Sequence, residues 1–115
     1  MNCGVRVELA ETGGGLAKDI ARVDELWTQG LSRFGGPYLA GNEFTAADAF
    51  FAPVIFRAQS YSLPLGKRAT QYFEHMINHE LMREWYDAGL REPWRDKDHE
   101  DDVLSIGTIQ ADYRV

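Results

Sequence analysis

The sequence predicts an all-α fold, a single helical bundle. Three observations carry this. From Leu16 to Phe34 the apolar residues recur at steps of three and four, the period of one helical face. From Ala46 to Ala58 a segment with its own start signal is apolar on nearly every side. No stretch reads as a sustained alternation of apolar and polar residues. A chain of 115 residues holds one domain and is too short for two ordinary ones. Residues 1–115 are therefore read as one unit, with 1–15 a loop-like lead-in and 96–115 a C-terminal helix or tail.

The lead-in contains Gly13-Gly14-Gly15, and glycine costs about 1 kcal/mol relative to alanine inside a helix. In the first helix Leu16, Ile20, Val23, Trp27, Leu31 and Phe34 share a face, with Lys18, Asp19, Arg22, Glu25 and Gln29 mostly opposite. Gly35-Gly36-Pro37 stops it, because glycine suits the C-terminal cap and proline cannot continue the ladder. The second helix opens on Thr45-Ala-Ala-Asp48, a capping box in which the Asp48 carboxylate reaches back to the Thr45 amide. Its body carries Phe50, Phe51, Val54, Ile55 and Phe56, the composition of a bundle's central helix, interrupted by Pro53. After the linker Ser62 to Gly66, a third helix places Ala69, Tyr72, Phe73, Met76 and Ile77 together. A break near Asn78-His79 leads to a short helix with Leu81, Met82 and Trp85, stopped at Gly89. The charged run from Asp96 suits a helix N-terminus, and Val103, Leu104, Ile106 and Ile109 extend that last helix.

Bulk properties narrow the function. With 44% hydrophobic and 26% charged residues, the composition is that of a globular chain. A net charge of −6 repels phosphate backbones, so nucleic acid is not an expected partner. No run approaches a membrane span, and no basic region followed by an apolar stretch marks a secretory signal. The lone Cys3 cannot form an internal disulfide. A cytoplasmic location without membrane contact is the resulting expectation.

The order of features resembles the C-terminal domain of bacterial glutathione S-transferases. An amphipathic helix ends in Arg33-Phe-Gly-Gly-Pro-Tyr-Leu-Ala-Gly41. A capped apolar helix follows, Phe44-Thr-Ala-Ala-Asp-Ala-Phe-Phe-Ala-Pro-Val54, and then come Trp85 and Leu90-Arg-Glu-Pro-Trp94. The resemblance implies a helical half of a glutathione-dependent transferase, lining the hydrophobic side of a pocket for a small electrophile, with glutathione as co-substrate. It also implies two features not seen in these 115 residues: the N-terminal thioredoxin-like domain that holds glutathione, and a preceding helix whose end Met1-Asn2 resembles. The alternative is a non-catalytic helical interaction or dimerisation module. By resemblance, Arg57, Tyr61 and Trp94 are the substrate-binding candidates, and Thr45 and Asp48 are structural capping residues. No catalytic residue and no cofactor are assigned to this chain.

Other constellations read as structural. His75 and His79 have the i,i+4 spacing of a helical metal pair, but Met76 stands where the zincin motif needs glutamate, so no metal site is assigned. Cys3 has no identifiable base and is expected to be exposed in a terminal loop. Gly13 to Gly15 lack the Gly-Lys-Ser/Thr ending of a phosphate cradle, and the acidic run from Asp96 lacks the spacing of a calcium loop. Arg57 interrupts an apolar helix, and a buried cation there calls for a local carboxylate or an anionic ligand. Finally, Trp27, Leu31 and Phe34 lack the family's preceding helix as cover. Their exposure predicts a homodimer through that face, unless residues 1–10, with Val5, Val7 and Leu9, fold back over it.

Overall fold

A computed structural model describes residues 2–115; of the Met1-Asn2 pair that resembles the end of a preceding helix, Met1 lies outside the described residues and Asn2 is not helical. Helices dominate: α1 (Gly14–Phe34), α2 (Ala46–Tyr61), α3 (Lys67–Ile77), α4 (Glu80–Arg91) and α5 (Lys97–Ile106). The fold is mostly helical and not all-α, because β1 (Val5–Leu9) and β2 (Gly107–Asp112) pair as a two-stranded antiparallel sheet. The lead-in is thus partly a strand, and the last helix stops at Ile106, leaving Ile109 in β2. Only three alternating apolar residues mark β1, and β2 finds its partner at the opposite end of the chain, so neither strand has a local signal. Gly107 is what lets the strands meet: a Cβ there would lie 2.4 Å from the Glu8 carbonyl oxygen. The register runs Val5↔Asp112, Arg6↔Ala111, then Val7↔Ile109, which leaves Gln110 as the extra residue of a bulge.

The helices obey the sequence closely. Gly35 caps α1 in the left-handed region at φ 89°, its N–H reaching the Leu31 carbonyl. Asp96 caps α5, its carboxylate accepting from the Asp98 and His99 amides. The core gathers Trp27 and Leu31 of α1, Ile55 and Phe56 of α2, and Tyr72 and Met76 of α3. The Trp27 ring meets the edges of Phe51 at 5.7 Å and Tyr72 at 5.0 Å. This overturns the premise of the dimer expectation, since Trp27 and Leu31 are covered within the chain and only Phe34 stays open. Of the lead-in, Cys3 joins the same buried cluster and β1 packs on α2. Two other expectations change with the packing. Phe50 on α2 is 84% exposed, so the apolar helix is not enclosed all round. On α4, Gly89 is an interior position, and the helix continues to Arg91.

Asp48 ties the layers together. Its carboxylate is fully buried and accepts from the Thr45 amide at 2.9 Å, the closing bond of the capping box, with the Thr45 hydroxyl 3.4 Å from the same oxygen. The other oxygen accepts from the Leu39 amide at 3.1 Å and the Tyr72 hydroxyl at 2.8 Å. One side chain therefore fixes the start of α2, the loop before it and the middle of α3. Burial, and then the bond to Asp48, push the Tyr72 phenol well above its ordinary range, so it stays a donor.

Candidate ligand cleft

The C-terminal half of α2, β1 and α5 enclose a cleft of ≈ 390 Å³. Each wall follows from a local repeat. On α2, Arg57 and Tyr61 are one turn apart, as are Phe56 and Ser60, so four residues project to one side. On β1 the alternate residues Val5 and Val7 face inward, both nearly fully buried. On α5 the residues at His99, Asp102, Val103 and Ile106 recur at three and four, forming a stripe toward α2. Val5, Val7, Phe56, Val103 and Ile106 make an apolar floor beneath a polar rim, the usual build of a small-molecule site.

The rim is electrostatically uneven. Arg57 is exposed, so it is not the buried cation its sequence context suggested, and among the described residues no carboxylate pairs with it. Glu100, on the α5 side, is held by Arg114 at 2.5 Å, and Arg114 also grips Asp112 at 2.7 Å. These bonds raise the already high pKa of Arg114 and draw the Asp112 carboxyl below the usual aspartate range. His99 leans on Asp96 at 3.2 Å. The Ser60 hydroxyl is buried in the wall and has no hydrogen-bond partner among the described residues.

The sequence candidates separate in space. Arg57 and Tyr61 line the cleft together; Trp94 does not. It is 70% exposed and borders an adjoining recess of ≈ 160 Å³, behind a wall of Asn2, His99 and Glu100 that both hollows share. Sequence reasoning missed Val5, Val7, Ser60, Asp102 and the α5 stripe. The spacing of Phe56 to Ser60 and of His99 to Ile106 was a usable signal, but which helix faces the α5 stripe is set only by the β1–β2 pairing.

The remaining constellations turn out differently. His79 caps α4, its Nδ1 accepting from the Leu81 amide at 3.1 Å, while His75 packs edge-on against Tyr38 at 4.8 Å. Among the described residues no three potential ligands gather for a metal. Cys3 is not exposed: it is 2% accessible, and burial raises its thiol pKa. Its environment is the reverse of an activated nucleophile's. Arg6 donates to the Cys3 carbonyl and to the Tyr86 hydroxyl, each at 3.0 Å, tying the strand to α4. Among the described residues no helix is long and apolar enough to cross a membrane.

Residues 8–88 match the family described as glutathione S-transferase, C-terminal domain. The chain belongs to this family. Neither the curated proteins nor the solved structures gave a match. The matched span of the glutathione S-transferase domain contains α1 to most of α4, and with them Arg57, Ser60 and Tyr61. Val5, Val7 and all of α5 and β2 lie outside it. The cleft thus sets one wall of the transferase-family core against flanking chain, which supplies most of its lining.

Proposed function

We propose that this glutathione S-transferase C-terminal domain supplies the apolar, electrophile-binding side of a glutathione-dependent transferase. The observation that carries the reading is the family match across residues 8–88, which spans the helix bearing Arg57 and Tyr61. The cleft supports it, with an apolar floor and few polar groups at its mouth. On this reading glutathione is the co-substrate, held outside these 115 residues. No residue here is assigned the role of activating its thiol. The setting is cytoplasmic. The homodimer expected from the sequence now rests on the open residues Phe34 and Phe50 in place of Trp27 and Leu31.

The test is a titration of isotope-labelled chain with an unreactive aryl compound such as 1,3-dinitrobenzene, followed by amide chemical shifts. The expected shifts cluster at Val5, Val7, Arg57, Tyr61 and Val103. A parallel assay with glutathione and a chromogenic aryl halide is expected to show only the uncatalysed rate. Shifts confined to surfaces away from α2 contradict the pocket assignment, and turnover that survives repurification contradicts the division of labour.

A further inference from the structure

We propose that His79 is a pH-sensitive cap: its neutral imidazole closes the first turn of α4, and protonation removes the acceptor and frees that turn. The device lies at the corner between α3 and α4, apart from the ligand cleft, and goes beyond the transferase reading. His79 is the N-cap residue of α4, its Nδ1 accepting from the Leu81 amide at 3.1 Å. The usual N-cap side chains are Ser, Thr, Asp and Asn, whose oxygens remain acceptors near neutral pH. An imidazole accepts only through a nitrogen without a proton, so the capping ring carries its single proton on Nε2. A second proton turns Nδ1 into a donor that faces the Leu81 N–H.

The ring is held in place while this happens. It is half-buried, tilted on Phe44 at 4.9 Å and beside Tyr38 at 6.1 Å, both in the loop ahead of α2. Aromatic neighbours accept a charged ring as well as a neutral one. Backbone bonds persist on both sides: the His79 amide donates to the Met76 carbonyl and the Arg83 amide to the His79 carbonyl, each at 3.0 Å. What changes is one acceptor at the start of a helix, together with a cation placed at the positive end of its dipole. Met82 in the core and Tyr86, whose hydroxyl accepts from Arg6, anchor the rest of α4, so the opening stops at the first turn.

The charges around His79 do not restore the cap. From α3, Glu74 and His75 share its surface hollow, where His75 packs edge-on against Tyr38 at 4.8 Å. From α4, Glu80 follows it in the chain and Arg83 lies one turn on. The loop ahead of α2 brings the Tyr38 phenol and, next to Phe44, the Glu43 carboxylate. The three carboxylates favour a protonated ring; Arg83 and a protonated His75 oppose it. All five are exposed, so they act through solvent and are screened. They bear on when the ring gains its proton. Once it has, the Leu81 amide has lost His79 as its acceptor.

The experiment follows amide hydrogen exchange of the full chain from about pH 8 to about pH 5, the range across which histidine changes charge, with each rate corrected for intrinsic exchange. Protection at Leu81 is expected to fall about fivefold on acidification, the worth of one cap, while protection at Trp27 in the core stays level. His79→Asn keeps an acceptor that does not titrate, so its protection should stay high throughout; His79→Ala should be low throughout. His75→Gln should keep the wild-type dependence. Ring nitrogen shifts of His79, which need no variant, should show the Nε2–H tautomer at the alkaline end. Level protection at Leu81, an Nδ1–H tautomer, or an unchanged pH dependence in His79→Asn overturns the proposal. An equal fall at Trp27 overturns it in favour of a global loss of stability. Loss of the dependence in His75→Gln overturns it in favour of the other histidine.

Discussion

Replacing Asp48 by alanine tests how far one carboxylate organises the domain. If Asp48 only closed the capping box, its loss would cost about 1 kcal/mol. The structure demands more. The Leu39 amide and the Tyr72 hydroxyl both end on Asp48 inside the core, and alanine leaves both donors buried without an acceptor. Each such orphan costs about 1–3 kcal/mol, and the cap adds its own share. Relief from burying a carboxylate offsets part of the sum. The expected loss is therefore about 3–5 kcal/mol, a large fraction of the 5–15 kcal/mol (roughly) that holds a domain of this kind together. At about 4–8 °C per kcal/mol, the melting temperature falls by roughly 12 °C or more. Urea unfolding of Asp48→Ala, Tyr72→Phe and the double variant measures it. Tyr72→Phe removes one donor together with its need for an acceptor, so the double variant should be less destabilised than the two single losses added. A loss under about 1.5 kcal/mol for Asp48→Ala, or strict additivity in the cycle, refutes the role of Asp48 as a shared acceptor.

Two further outcomes follow from the terminal segments. Arg114 holds the Asp112 carboxyl below its unfolded value of about 3.9, so this contribution is complete above that pH and is lost as pH falls through the lowered folded value. Arg114→Gln should lower the melting temperature at neutral pH and flatten its dependence on pH in the acid range below about pH 4; an unchanged acid profile would contradict the linkage. Cys3, almost inaccessible and with its thiol pKa raised by burial, should resist iodoacetamide in the native protein and react fully in urea. Rapid native alkylation would show that the segment ahead of β1 opens readily.

The reach of the sequence ended where contacts stopped being local. The caps were legible because their chemistry lies within one turn: Gly35 after α1, Thr45 and Asp48 at α2, and the acidic start of α5. The face of α3 was legible because Tyr72 and Met76 repeat at helical spacing, and both are buried. The family itself was legible because its signature, from Tyr38 to Val54, is a capped apolar helix with its lead-in. What covers that face is a different matter. Periodicity states that Trp27 and Leu31 need a neighbour, and only packing names it as Phe51 and Tyr72 of the same chain.

The candidate cleft divides along the same line. That Arg57 and Tyr61 share a helical face was readable from their spacing, because one turn of helix sets it. What lies opposite them depends on packing. Val5 and Val7 reach α2 because β1 pairs with β2, two segments from opposite ends of the chain whose alternation is too short to declare them strands. That same pairing, close at Gly107, brings the α5 stripe to the mouth of the cleft and leaves Trp94 outside it. Strand pairing draws its stability from partners distant in sequence, so its outcome is written in no local window.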